Sequence, residues 1–301
     1  MVNRAVTGAL LVLLIDLPAG PVQADEPATI SEIVVSGQRR EQPKLLHGGN
    51  IDRLDQATID RIEHQHIHEL LSRVAGTWIV RGSGQDHQTA IRSPVLSGAG
   101  SCGGFLFLED GIPIRPAGFC TVSQLTESNT EQASSIEVVR GPGNALFGSN
   151  ALHGIINVLM PMPASAGRGH LGLEMGANNF FRVRTALPFA HEAPWFASLV
   201  YADDGGFRDS SGYRQGKLHL KRSWTQAAGE FTAALSATRL RQDSAGFIYG
   251  EDAYKDPTVN RSNPNPDAFR DADSQRLYGI WTRSLDRSEL DVRPYLRHSE
   301  M

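Results

Sequence analysis

The stretch VVRGPGNALFGSNALHGIINVL, residues 138–159, sets four glycines and a proline inside an otherwise β-like run. Two phosphate-binding motifs come close to it and fail. A dinucleotide fingerprint, G-x-G-x-x-G/A, finds Gly141 and Gly143 in place but Leu146 at its third position. A P-loop finds Gly143 and Gly148 correctly separated, but Ser149-Asn150 follows and no lysine closes the motif. The glycines therefore read as backbone freedom for packing. Gly141, Gly143, Gly148 and Gly154 permit positive φ at tight bends and close approach of neighbouring chain, and Pro142 fixes one φ and withholds a donor where a strand ends.

Working outward, the N-terminus fixes the compartment. Arg4, the apolar run AVTGALLVLLI (5–15) and the small-residue site VQA (22–24) before Asp25 form a secretory signal, despite the charge of Asp16. The apolar run is shorter than the ~20 residues that span a bilayer as a helix. No other stretch is apolar enough to be a membrane helix, so any membrane segment must be made of strands. The 301 residues carry 29 basic and 33 acidic side chains, net −4, which gives no basic field for nucleic acid. Two cysteines, Cys102 and Cys120, in an exported chain predict a disulfide, worth roughly 3 kcal/mol in the chain-entropy model.

Along the mature chain, residues 25–50 read as a polar tail broken by the β-branched patch EIVVSG (32–37). Residues 51–163 read as an α+β domain. A helix is predicted over 58–76 from Ile59, Ile62, Ile67, Leu70, Leu71 and Val74, with Gly76 as its stop. Strands follow at 77–82, 105–114 and 134–141, with Glu109-Asp110-Gly111 as a hairpin turn. From 164 to 301, seven segments of alternating polarity are joined by links that are mostly short and long by turns, the pattern of a transmembrane barrel.

These features together resemble the TonB-dependent outer-membrane receptors. IEVVRGPGNALFGSNALHGIINVLMP (136–161) is very close to the signature of that family's plug domain, with Gly141, Pro142, Gly143, Gly148, Gly154 and Asn157 at its marked positions. FLFLEDGIPIRP (105–116) resembles the preceding hairpin, and SEIVVSG (31–37) resembles the TonB box. The resemblance implies an α+β plug domain followed by antiparallel transmembrane β-barrel strands, an incomplete barrel here. It implies a non-enzymatic receptor in the outer membrane of a Gram-negative cell, in contact with membrane lipid. The receptor would take up a small-molecule ligand such as an iron–siderophore complex or cobalamin and bind neither nucleic acid nor a resident cofactor.

The resemblance also assigns roles. Ile33, Val34 and Val35 become the strand that the energy-coupling protein TonB engages by β-augmentation. Arg140 is expected to pair with barrel-wall glutamates. Arg92 is expected to join it, although Ser93 stands where the family has glycine. The loop between the cysteines, with Arg115 and Phe119, and residues 82–88 are expected to reach the external side. His64, His66 and His68 read as solvent-facing helix residues and not as a metal site, since no first shell surrounds them. Seven strands cannot close the twenty-two-stranded cylinder that the resemblance implies, so the sequence reads as the N-terminal part of a receptor, or alternatively as an exported plug-like binding or signalling module that forms no pore, or as a non-functional truncated receptor.

Overall fold

The computed structural model describes residues 34–35, 42–44, 49–96, 102–118, 122–189 and 192–301. The signal segment, Ile33, Phe119 and Cys120 lie outside the described residues, and with Cys120 so does the expected disulfide. Val34–Val35 (β1) pairs antiparallel with Gln42–Pro43 (β2).

The first folded layer holds β3 (Ile51–Asp55), α1 (Gln56–Ile62), α2 (Ile67–Leu71), β4 (Thr77–Arg81), β5 (His87–Ile91), β6 (Phe105–Glu109), β7 (Ile112–Pro113), β8 (Ser135–Arg140) and β9 (Gly154–Leu159). Five of these strands make a mixed sheet in the order β3-β8-β9-β6-β7, with β6 parallel to β9, while β4 and β5 form a separate ribbon. Asp110 and Gly111 both take positive φ, so the turn between β6 and β7 is the tight two-residue hairpin that Asp-Gly favours. Ile59, Leu70, Leu71 and Val74 bury one face of the helices against Ile79, Phe105, Phe107, Ile136 and Ile156. On the other side of the sheet, Leu106, Leu108, Phe147, Ala151 and Ile155 form a second cluster.

The single helix predicted over 58–76 is two. Asp55 caps α1 by accepting from the Thr58 backbone N–H at 2.8 Å. The helix ends at Glu63, whose φ of 48° turns the chain and whose N–H closes on the Ile59 carbonyl at 3.0 Å. The apolar spacing is helical on both sides of this break, so periodicity alone bridges it.

The second layer is an antiparallel meander of β10 (His170–Met175), β11 (Phe181–Phe189), β12 (Trp195–Asp204), β13 (Tyr213–Gln226), β14 (Gly229–Asp243), β15 (Phe269–Leu285), β16 (Ser288–Val292) and β17 (Tyr295–Glu300). β16 and β17 pair with β15 in one register, Trp281 opposite Val292 and Tyr278 opposite Tyr295, and are one strand interrupted at Arg293-Pro294. Proline has no N–H to give the ladder there. The seven alternating segments are thus seven strands, and the sheet does not close on itself. Residues 192–194 and the links 227–228 and 286–287 lie at one end of the wall, and 176–180, 205–212 and 244–268 at the other.

The wall's polarity is inverted relative to a soluble sheet. Along β13, Gln215, Lys217, His219 and Lys221 are buried against the first layer, while Leu218 and Leu220 face outward between them. Leu199, Leu235 and Leu277 are exposed on the same outer face. At the short-link end Trp224, Phe231 and Trp281 stack across three strands at 5.6 and 6.2 Å, in the manner of an interfacial aromatic girdle. Among the described residues no helix is long and apolar enough to cross a membrane.

The glycine-rich stretch is explained inside the first layer. The close contacts of Gly143 and Gly154 are with their own domain. A Cβ at Gly154 would fall 2.6 Å from the Val139 carbonyl oxygen, which is backbone and cannot yield. Gly141 has open space around it and needs its freedom for a φ of 108°. Gly154→Ala is therefore expected to destabilise the first layer by about 1–3 kcal/mol, measured as a lower melting temperature of the chain in detergent micelles. An unchanged melt would show that β8 and β9 are free to separate.

Candidate functional site

The two layers meet through buried charge. At the tip of the β6–β7 hairpin, Asp110 Oδ1 accepts from the Met160 backbone N–H at 2.9 Å, and its Oδ2 accepts from Lys221 Nζ at 2.8 Å and the Tyr278 hydroxyl at 2.5 Å. The Asp110 carbonyl accepts from Arg293 Nη1 at 2.9 Å. Beside it, Glu109 holds Arg276 Nη2 at 2.8 Å and receives the hydroxyls of Ser128 and Ser236. Further along the chain, Glu131 accepts from Lys217 Nζ at 2.9 Å through both carboxylate oxygens, and its Oε2 also accepts from the Thr130 hydroxyl at 3.3 Å. The three carboxylates and their partners Arg276, Lys221 and Lys217 are all buried.

Burial raises each of these carboxyls, but the cations outweigh it. Arg276 leaves Glu109 below its ordinary value, Lys221 does the same for Asp110, and Lys217 brings Glu131 down to about 2. The pairs are therefore ionised at neutral pH, and removing one partner strands a buried charge.

The plug-signature residues serve this arrangement. Asn157 on β9 accepts the Gly111 N–H at 3.0 Å through Oδ1, which fixes the Asp-Gly turn carrying Asp110. The helix break serves it too. Arg182 Nη2 donates to the Glu63 carbonyl at 2.6 Å, Arg182 Nη1 to the His64 carbonyl, and Arg184 Nη2 pairs with the Glu63 carboxylate at 2.7 Å.

Arg140 is placed differently from its sequence expectation. Its recorded partners are Asp52 Oδ2 at 2.8 Å and the Ala75 carbonyl at 2.6 Å, both in the first layer, and no wall glutamate is among them. Arg92 is exposed, takes a φ of 48° and donates its N–H to the Gly76 carbonyl at 2.8 Å. The two arginines thus come together at the Ala75-Gly76 turn. Arg115, expected at the external side, is buried against Glu127. His64 and His66 are also buried, not solvent-facing, and His68 is half-buried. His66 Nδ1 accepts the His68 N–H at 3.1 Å and its Nε2 meets the Asp86 carbonyl at 3.2 Å, with the His87 ring edge-on at 6.0 Å. Burial drives His64 and His87 down to about 4 and His66 to about 3. Among the described residues no cluster is arranged to hold a metal ion.

At the long-link end a cavity of about 800 Å³ opens between residues 81–88 of the first layer and the wall loops 176–180, 204–213 and 244–247. Arg81, Asp86, Arg208 and Arg270 bring charge to it, and Phe180, Phe207, Tyr213 and Phe247 bring aromatic surface. Gln242 ties the 82–88 loop of the first layer to the wall, accepting the Gln85 N–H at 2.8 Å and donating to the Ser83 carbonyl at 3.2 Å. Such a mix of apolar lining and convergent polar groups is what small-molecule sites require.

Comparison with known proteins agrees with this geometry. Residues 44–155 match the family model of the TonB-dependent receptor plug domain. Over 250 residues the chain is 27% identical to the vitamin B12 transporter BtuB of Vibrio vulnificus (strain CMCP6), covering 77% of this chain and 39% of that protein. The chain thus spans about two-fifths of the length of this curated relative. The pyoverdine outer membrane receptor FpvA from Pseudomonas aeruginosa PAO1, bound to pyoverdine, is similar in structure with a TM-score of 0.68 at 14% identity, over 88% of this chain and 40% of that one. The ferric citrate transporter FecA in its unliganded form gives 0.67 at 18% identity, over 84% and 40%. At these identities the solved structures establish a shared fold.

Two outcomes follow from the buried charges. Lys221→Met leaves Asp110 without its cation and is expected to cost about 3–5 kcal/mol, with part of the loss recovered when Asp110→Asn is added; urea unfolding in micelles measures both. The histidines add a pH dependence. Their folded values lie below the ordinary 6.5, so the unfolded chain takes up protons first and stability falls as pH drops from 6.5 towards about 4. Glu131 contributes stability above its ordinary 4.5 that is lost as pH falls towards about 2. The melting temperature should therefore decline below pH 6.5 and decline further below 4.5. A melt flat from pH 7 to 5 would refute the buried-histidine assignment.

Proposed function

We propose that this chain, a member of the TonB-dependent receptor family through its plug domain, serves energy-coupled uptake of a scarce ligand. Its relatives are transport receptors of the Gram-negative outer membrane and not enzymes, and the chain is an outer-membrane protein of the same kind. The observation that carries the reading is the plug layer seated by buried counter-charges on the polar face of an outwardly apolar wall, with a cavity at the long-loop end. The relatives' ligands support a metal chelate as cargo, an iron–siderophore complex or a cobalamin, bound first in the 800 Å³ cavity.

Ile33, Val34 and Val35 are the proposed coupling strand. An extended segment able to pair in a two-residue ladder with Gln42–Pro43 has the backbone geometry that β-augmentation by TonB uses. Arg92 and Arg140 retain a proposed part in locking plug to barrel, with Asp52 holding Arg140 in the present arrangement.

The test is uptake of labelled ferric siderophores and labelled cobalamin by cells with and without the intact chromosomal gene. Deletion is expected to abolish accumulation of one of these ligands. Val34→Pro, which removes one backbone donor from the coupling strand, is expected to leave surface binding of that ligand intact while its accumulation stops. Uptake that persists in cells lacking TonB would overturn the reading.

A further inference from the structure

Between the coupling strand and the plug layer stands one carboxylate with two cations. Lys44, which follows β2 directly, gives Nζ to Asp52 Oδ1 at 2.9 Å. Arg140, the last residue of β8, gives Nη2 to Asp52 Oδ2 at 2.8 Å. Arg140 Nη1 reaches on to the Ala75 carbonyl at 2.6 Å, in the turn between α2 and β4. Asp52 itself is the second residue of β3. A single side chain thus ties the tail to one edge of the plug sheet and, through Arg140, to the helical side of the domain. The cluster also stands where tension from the tail would arrive. β3 is the edge strand of its sheet and, among the described residues, pairs with β8 alone, antiparallel, from Ile51 opposite Val139 to Asp55 opposite Ser135. A pull entering through Asn50 loads the Ile51 end first and peels the ladder pair by pair. Of the five residues of β3 only Ile51 is buried, so little packing opposes peeling once that end is free. What clamps the end is the cluster: Arg140 donates its N–H to the Asn50 carbonyl at 2.8 Å while its guanidinium holds Asp52.

This cluster differs in kind from the seat. The Lys44 and Asp52 side chains are 35% and 29% exposed and that of Arg140 is 12% exposed. A cavity of about 400 Å³ bounded by Lys44, Asn50, Asp52 and Arg140 opens onto them. Water and salt therefore reach both pairs, and accessible pairs are individually weak. The seat pairs Glu109–Arg276, Asp110–Lys221 and Glu131–Lys217 are buried, and salt screens them little.

We propose that Lys44, Asp52 and Arg140 form a latch that holds the base of the coupling strand against the plug layer and opens before the buried seat. Tension on residues 33–35 then frees β3 while Glu109, Asp110 and Glu131 keep their partners. The three are positioning residues, acting on which part of the plug layer moves first rather than on cargo. The proposal rests on the coupling reading of residues 33–35, but the order of opening is a property of the chain alone.

Amide hydrogen exchange of the full-length chain in detergent micelles, read by mass spectrometry on peptides from β3, β6 and β9, tests it. In the unaltered chain β3 is expected to exchange faster than β6 and β9. Raising salt from about 20 mM to about 500 mM is expected to speed β3 about five-fold and leave β6 and β9 unchanged. Asp52→Asn is expected to give the same acceleration at low salt and to abolish the salt dependence, which loss of packing alone would not do. Lys44→Arg keeps the charge and is expected to keep both the slow exchange and its salt response. A common response of β3, β6 and β9, or a β3 that answers neither to salt nor to Asp52→Asn, overturns the proposal. Should Asp52→Asn fail to fold, Lys44→Gln removes one of the two pairs, and a faster β3 with a weaker salt response is again required. Binding of the periplasmic domain of TonB by the unaltered chain, and its loss in Val34→Pro, reports the coupling reading separately, so failure of coupling and failure of the latch give different results.

Discussion

The structure hangs on the meeting of carboxylates at one edge of the plug layer with cations on the inner face of the wall. Glu109, Asp110 and Glu131 each face a buried base of the wall, Arg276, Lys221 and Lys217. Neither set is tolerable alone in a dry interior, because an unpaired buried charge costs several kcal/mol. Once joined, each carboxylate takes further donors: the Tyr278 hydroxyl and the Met160 backbone at Asp110, the Ser128 and Ser236 hydroxyls at Glu109, and the Thr130 hydroxyl at Glu131. Salt screens such buried pairs weakly.

Much of the remaining architecture follows from that requirement. The wall can carry Lys217 and Lys221, with His219 between them, on its inner face because its other face is apolar and turned outward. The plug can present Asp110 because Asn157 holds the turn from behind and Gly154 lets β9 lie close against β8. The helix has to break at Glu63, since the carbonyls freed there are what Arg182 grips. These contacts link three separate parts of the sequence to one interface.

The fold was largely legible in the sequence because its signals are local. Asp110-Gly111 specifies a hairpin, the signature at 136–161 specifies β8, β9 and their bends, and period-two alternation from 171 onward marks the wall strands. The seat was not legible. Arg140 carries the family's motif, yet its partner Asp52 is 88 positions away in sequence and nothing in the motif points to it. The seat's own residues did leave a trace in KLHLKRSW (217–224), where Lys217, His219 and Lys221 alternate with Leu218 and Leu220 in a strand too apolar for solvent on both faces. Pairing Lys217 with Glu131 and Lys221 with Asp110 needs the third dimension. The histidines misled for a related reason: HQHIH has helical spacing, but the chain turns before it and draws His64 and His66 inside.

Lys217 and Lys221 of β13 make the first layer the counter-ion of this wall. A plug domain borrowed from one of the chain's relatives could bring the same signature, the same hairpin and the same volume, and still set its negative charges at the wrong heights along the strand. Shape can be shared across such proteins while compatibility is not. For this chain, then, the two layers form one inherited unit: a change of sign at Glu109, Asp110 or Glu131 can persist only if the wall changes with it.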